Sequence, residues 1–358
     1  MRVLVLTADY PPATWSGIGG AVESQACALA GLGVDVTVLV GGAFSDAESA
    51  AGVPGLTVRS LSAEYCPVDT GTFDLVHLHS LALSEFALEL CRRTGLPLVY
   101  TAHSLLHLEL EDGAATRFWL GVQDCVLAAS DHVIFLSAAE RWAALDRMPE
   151  LAGRSSVLPN SVPPLPRVPP QSHVNGPVVF AGRFTRNKGI DLLAEIVPLM
   201  LAARSCHFVL AGGHGDSEGE RIVRTLAERF PNNCLVAGWL PRQALDQLFA
   251  HAALVLVLSL YEPFGMVALE AMRLGAPVLA AATGGLMETV ADGSGGRLEY
   301  SRDPRQWSVA ALEIISDPRL TEELSARGPR YVASRFDAAS ITRTLVGEVY
   351  EACQPVRS

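Results

Sequence analysis

The chain opens on VLVLTA (Val3 to Ala8), an apolar run rich in branched residues. An unbroken run of this kind suits a strand covered on both faces, as in a parallel sheet, rather than one with a solvated side. Similar runs recur at VDVTVLV, LTVRSL, FDLVHLH, PLVYTAH and HVIFLS, with helical segments between them, the first from about Ala21 to Ala30. Strands alternating with helices predict βαβ units and a doubly wound sheet. Proline then crowds residues 159–171 (PNSVPPLPRVPPQ), which excludes helix or central strand and predicts a stiff, extended hinge. Beyond it the rhythm restarts: GPVVFAG, a helix from about Gly189 to Ala203, HFVLAGG, NCLVAGWL, ALVLVLS, PVLAAATGG and a helical tail. The pattern predicts an α/β protein of two similar doubly wound halves. Ligands of such sheets lie beyond the carboxyl ends of the strands, so the cleft between the halves is the expected site.

Composition narrows the partners. With 358 residues, 49% hydrophobic and 18% charged, the chain has material for two cores. A net charge of -11 argues against nucleic acid, which needs a basic face, and against docking on an anionic membrane. Seven cysteines stand singly, without a C-x-x-C pair, as expected of reduced thiols in a cytoplasmic protein. The N-terminal apolar run is too short for a signal-peptide core, and no stretch has the roughly 20 apolar residues of a membrane span. Lys188 is the only lysine in a chain that otherwise uses arginine.

Three stretches carry candidate chemistry. In SLYEPFGMVALEAMRLGAPVLA (Ser259 to Ala280), Pro263 and Gly265 break regular structure, placing Glu262 on a loop and Glu270 on a helix from about Gly265 to Gly275. Free N–H groups at that helix start, near Gly265, Met266 and Val267, favour an anion. Carboxylates such as Glu262 and Glu270 accept from sugar or ribose hydroxyls; the plainer alternative is one cap and one surface residue. AGRFTRNKGID (Ala181 to Asp191) places Arg183 and Lys188 at a strand-to-helix turn, a planar fork and a point charge suited to a diphosphate. SGIGG (Ser16 to Gly20) lacks the third glycine of a dinucleotide fingerprint, which makes an NAD-dependent dehydrogenase a poor fit. It serves equally as a plain turn or as a place where backbone approaches a ligand. His103 ends the strand of YTAHS, facing the expected cleft, where it would bond a sugar or acceptor hydroxyl. His77 and His79 alternate on one strand and should point the same way; without a third ligand at suggestive spacing, packing or cleft lining is favoured over metal. No D-x-D occurs, so a metal-chelated diphosphate is not expected.

Taken together, YEPFGMVALEAMRLGAPVLAAATGGLMETV, GRFTRNKGID and GIGGAVESQACALAGLGVDVTVLV resemble the retaining GT-B glycosyltransferases of family 4, also called group 1, with DLVHLHS, TAHS and PNSV in the expected order. The resemblance implies two Rossmann-like domains facing across a cleft: 1–165 on the acceptor side and 172–336 for the nucleotide-sugar. They would be joined through the hinge, with a last helix at about 337–358 returning to the first. It implies a nucleotide-diphosphate sugar donor, a small hydroxylated acceptor, no metal and no other cofactor. Arg183 and Lys188 would hold the diphosphate, Glu270 the ribose diol and Glu262 the sugar hydroxyls. Backbone from Phe264 to Val267 would meet sugar and phosphate, Gly19 and Gly20 would approach the phosphates, and His103 would contact the transferred sugar. The chain departs from the family pattern at Gly33-Val34-Asp35-Val36, Asn160-Ser161 and Pro163, and carries an acidic LELEDG (Leu108 to Gly113). These departures bear on the acceptor rather than the reaction. A phosphorylase of the same fold and a non-catalytic partner subunit are the rival readings.

Overall fold

In the computed structural model, residues 1–11, 16–41, 52–61, 72–109, 114–162, 173, 175–291 and 294–353 are described. Most of the predicted hinge, and most of the acidic LELEDG stretch, lie outside them. The chain divides into two compact units, Met1–Pro163 with Phe336–Ser358, and Pro164–Arg335.

In the first unit, β1 (Arg2–Thr7), α1 (Gly17–Gly31), β2 (Asp35–Gly41) and β3 (Leu56–Leu61) lead to β4 (Leu75–Leu78) and α2 (Ser84–Thr94). They are followed by β5 (Leu98–Ala102), α3 (Ala114–Ala129), β6 (His132–Phe135), α4 (Ala138–Arg147) and β7 (Ser155–Val157). All pairings are parallel, in the order β3-β2-β1-β4-β5-β6-β7. The apolar runs are buried on both faces as expected: β5 is covered throughout, and only Arg2 of β1 is exposed. One expectation needs correcting. Gly17 to Gly20 are not a loop before the first helix; they form its first turn. The Ser16 side chain caps that turn, its Oγ accepting from the Gly19 N–H at 2.9 Å, which offsets the poor helix propensity of glycine.

The second unit has the same logic. β8 (Val178–Arg183), α5 (Ile190–Ala203), β9 (Phe208–Gly213), α6 (Ser217–Arg229), β10 (Cys234–Gly238) and α7 (Arg242–His251) come first. β11 (Leu254–Val257), α8 (Met266–Arg273), β12 (Val278–Ala281), α9 (Leu286–Thr289), β13 (Gly296–Glu299), α10 (Pro304–Ser316) and α11 (Pro318–Arg335) complete it. The parallel sheet runs β10-β9-β8-β11-β12-β13. Its core is built from β8, β9, β11, α5 and α10, where Trp307 is fully buried and its indole N–H donates to Ser301 O at 2.7 Å.

From Phe336 the chain belongs to the first unit again. Val162 N–H donates to Phe336 O at 3.0 Å, and Ser24 and Ser161 hydroxyls bond at 2.8 Å. Asp337 caps α12 (Ala338–Thr344), which packs on α1 and runs into a π-helical turn, Leu345–Tyr350, that buries Tyr350.

Candidate functional site

In a doubly wound sheet the chain leaves the middle in both directions, and the carboxyl ends of the two strands at that reversal form a natural crevice. In the second unit the reversal lies between β8 and β11. The loops after these two strands hold the residues singled out from sequence. Arg183 ends β8 with an exposed side chain, and Lys188 closes a 3-10 turn, Arg186–Lys188. Gly189 follows with φ +78°, and a Cβ there would sit 2.2 Å from Leu258 O, so the turn is pressed directly against the end of β11. That contact brings Lys188 Nζ to 2.7 Å from Glu262 Oε2. The Ser259 hydroxyl donates to the same oxygen at 2.9 Å. Glu262 is further fixed through its backbone, its carbonyl accepting from Gly285 N–H at 2.8 Å.

Gly265, with φ +102°, starts α8 where a Cβ would meet Leu286 at 2.6 Å. Phe264 O accepts from Thr289 Oγ1 at 2.8 Å, so the Phe264 to Val267 segment is held from below by α9. Glu270 is buried on α8, not a surface residue. Its Oε1 receives Arg242 Nη1 at 2.5 Å, while Arg242 Nη2 lies 3.0 Å from Asp246 and Arg273 Nη2 3.6 Å from the same carboxylate. Burial would lower the pKa of Arg242, but Glu270 and Asp246 outweigh it and leave it raised. Burial, and then the neighbouring Arg242, hold Arg273 below its ordinary value.

The structure therefore brings Lys188 and Glu262 into contact and puts Glu270 in a separate four-membered charge cluster. Sequence reasoning missed Ser259, which lay unremarked in the quoted stretch, and Arg242, whose partner is 28 positions away and which carries no local signal.

In the first unit the reversal lies between β1 and β4. Gly19 and Gly20 sit in the first turn of the helix that follows β1, and a Cβ at Gly20 would meet nothing within 4 Å. His79 follows β4 and His103 follows β5. Their rings meet, Nδ1 of His79 to Nε2 of His103, at 3.0 Å. His77 lies beside them, its ring centroid 4.1 Å from that of His79. Both its nitrogens are engaged, Nδ1 with the Tyr350 hydroxyl at 2.6 Å and Nε2 with Thr101 Oγ1 at 2.8 Å. Burial pushes His77 down to about 3 and His103 to about 4, and holds His79 well below its ordinary value, so all three are neutral at pH 7. The shared direction of His77 and His79 is as the alternation predicted; the approach of His103 was not. Among the described residues no group of three His, Cys, Asp or Glu side chains could hold a metal ion, and no helix is long and apolar enough to cross a membrane.

Two family models match the chain: "Glycosyltransferase Family 4" over residues 15–164 and "Glycosyl transferases group 1" over 174–331. A D-inositol 3-phosphate glycosyltransferase of Stackebrandtia nassauensis is 30% identical, the alignment covering 79% of this chain and 69% of that protein. Alpha-maltose-1-phosphate synthase of Mycolicibacterium smegmatis is 29% identical over 98% of this chain and 99% of its own. Among solved structures, HepE of Anabaena in complex with UDP-glucose superposes with a TM-score of 0.74 at 20% identity, covering 98% of this chain and all of that one, a likeness of fold.

Proposed function

The chain belongs to the group 1, family 4 glycosyltransferases of GT-B fold, and from that premise we propose that it moves a hexose-type sugar from a nucleoside diphosphate sugar to a hydroxyl of a small soluble acceptor. The acceptor class is a sugar, a cyclitol or a natural product; relatives named for D-inositol 3-phosphate and maltose-1-phosphate support a small, hydroxyl-rich one. The observation that carries the reading is the Lys188–Glu262 contact at the β8–β11 reversal, a cation and an acid meeting where a donor's diphosphate and sugar would meet.

In this reading Lys188 and Arg183 stabilise charge building on the departing diphosphate. The term is large because the groups are in place before the bond breaks. Glu262 holds the ammonium and the Ser259 hydroxyl on Oε2, leaving Oε1 to accept from a sugar hydroxyl. Glu270, oriented by Arg242 on Oε1, offers Oε2 to the ribose diol. Backbone from Phe264 to Val267 meets sugar and phosphate oxygens, Gly19 and Gly20 admit the phosphates from the first unit, and His103 meets the transferred sugar. The reaction is retaining and same-face. The acceptor oxygen bonds to the anomeric carbon as the bond to the diphosphate breaks, and the acceptor proton passes to a leaving phosphate oxygen. No metal is required, because Lys188 and Arg183 supply the positive charge.

The test is thermal stability with UDP, GDP, ADP and dTDP, each with and without magnesium. A nucleotide at about 100 times its Kd adds about 2.7 kcal/mol. One of them should raise the midpoint without magnesium, and Lys188→Ala should abolish the rise while the protein stays folded. Equal stabilisation of Lys188→Ala would overturn the site; a rise only with magnesium would overturn metal independence.

A further inference from the structure

Asp191, which closes the GRFTRNKGID stretch, stands in the first turn of α5 between two arginines. Arg186 Nε lies 3.9 Å from its Oδ2, and Arg302 Nη2 lies 3.8 Å from its Oδ1. That Oδ1 is buried without a hydrogen-bond partner among the described residues, so Arg302 answers its charge. The same guanidinium also reaches past the end of β11, where Nη1 donates to Leu258 O at 2.7 Å. Leu258 O is the carbonyl against which Gly189 is packed. One side chain therefore spans the strand end that leads to Glu262 and the helix start that follows Lys188. Its own place is fixed by the loop before α10. Ser301 O accepts from the buried Trp307, Ser301 Oγ accepts from Asp303 N–H at 3.0 Å, and Asp303 caps the helix through Arg305 N–H at 2.9 Å. Burial lowers the pKa of Arg302; Asp191 opposes the shift and Arg186 adds to it.

We propose that Arg302, oriented by Asp191, is a positioning residue that braces the Arg186–Gly189 turn against the end of β11 and so sets where Lys188 stands relative to Glu262. On the other side of Lys188 the turn is already tied. Asn187 O accepts from Leu260 N–H at 2.8 Å, and Asn187 Oδ1 accepts from Tyr261 N–H at 3.3 Å. The brace completes the hold from the Gly189 side, leaving the lysine stem little freedom about its 2.7 Å contact with Glu262. An acid in the first turn of a helix also meets the helix dipole favourably, but that alone needs no arginine at Leu258 O. The Arg302 and Asp191 side chains are 39% and 42% exposed, so their attraction adds little to stability. Orientation is what the pair supplies. The consequence for a donor's diphosphate rests on the transferase reading above; the placement of Lys188 does not.

Because Lys188 is the only lysine, the full chain carrying 13C- and 15N-labelled lysine gives a single side-chain signal. With the ammonium held against Glu262, the two ε-methylene protons should be inequivalent and should relax with the folded body. Arg302→Met should merge them and free the side chain, while Tm falls by less than about 4 °C. Arg302→Gln, which keeps a donor but is too short to serve both acceptors, should fall between. Asp191→Asn should loosen Lys188 less, and should add nothing once residue 302 is changed to methionine. In turnover, Arg302→Met should lose at least about tenfold in kcat/KM, since catalysis is steep in the position of a charged group. A Lys188 signal unchanged in both Arg302 variants would overturn the proposal. So would a large fall in Tm with Lys188 still held, which would make the arginine a purely structural tie. An equal effect of Asp191→Asn with and without Arg302 would overturn the pairing. The signal needs no substrate, so failure to find any nucleotide-sugar donor would count against the transferase reading alone.

Discussion

Replacing Arg242 by methionine tests the charge cluster around Glu270. Methionine keeps much of the volume and removes the charge, leaving the carboxylates of Glu270 and Asp246 with Arg273 alone, 3.6 Å from Asp246. The Glu270 side chain is 11% exposed and that of Arg242 27%. Stranding one partner of a buried pair costs about 3–5 kcal/mol, and the partial exposure of Arg242 places this case near the lower end, at about 3 kcal/mol. For a domain of this size that corresponds to a fall in Tm of about 9 °C. Glu270→Gln removes the charge from the other side and leaves Arg242 with Asp246, at about 2 kcal/mol. The double variant strands neither group, so it should cost about 2 kcal/mol rather than the sum of the two, a coupling of about 3 kcal/mol. Calorimetry on the four proteins measures the cycle. Additive losses, or an Arg242→Met protein that melts within about 1 °C of wild type, would refute the view that Arg242 holds Glu270 in its charged, buried position. On the proposed function the same variant should also weaken nucleotide binding, since a Glu270 left without Arg242 no longer presents a fixed oxygen.

Gly189→Ala should destabilise by about 3 kcal/mol or more, because residue 189 has φ +78° and its Cβ would lie 2.2 Å from Leu258 O; urea unfolding reads it. Gly20→Ala is the counterpart: within a helix and with nothing within 4 Å, it should raise stability by about 0.5–1 kcal/mol yet reduce nucleotide affinity if the open space serves the donor. Tyr350→Phe leaves His77 Nδ1 without its partner and should cost about 1–3 kcal/mol, measured by thermal unfolding. As pH falls from 6.5 towards 4, stability should decline. His77 and His103, at about 3 and about 4 when folded against 6.5 otherwise, take up protons only in the unfolded chain across that window. The slope is up to about 1.4 kcal/mol per pH unit for each, and His103→Gln should lessen it; a flat profile from pH 7 to 5 would contradict the buried, neutral state.

Much of the fold was legible because a strand covered on both faces leaves a continuous apolar run, and both sheets are built from such runs. Lys188 and Glu262, which the fold brings into contact, stood out in the sequence for a related reason. They lie just past two such runs, where the loop chemistry of Pro263, Gly265 and Gly189 stands out against the apolar background. Gly17 to Gly20 misled because glycine propensity argues for a loop, and a single hydrogen bond from the Gly19 N–H to Ser16 Oγ outweighs it. Arg242 and the meeting of His79 with His103 had no sequence signal, since each depends on which elements the tertiary fold makes neighbours. β4 pairs with β5 with Leu78 opposite Tyr100, and only that register carries two residues 24 apart to within a hydrogen bond.

The two reversal points differ in chemistry in a way that follows from what each is read to hold. In the second unit the two acids are met by cations: Lys188 with Glu262, Arg242 with Glu270. A diphosphate demands this, because its leaving charge must be met by cations that do not have to be recruited. In the first unit the central groups are three neutral imidazoles, a threonine and a tyrosine: His77 bonds Thr101 and Tyr350, His79 bonds His103, and the rings of His77 and His79 touch. The neutral sugar of the proposed function offers only hydroxyls and ring oxygen, which neutral imidazoles match by accepting and donating hydrogen bonds. Burial that keeps His77, His79 and His103 uncharged is the first unit's counterpart to the ion pairs of the second. On the proposed function, lowering the pH far enough to charge His103 should slow turnover before it weakens nucleotide binding, which that reading assigns to the Lys188 and Glu270 clusters.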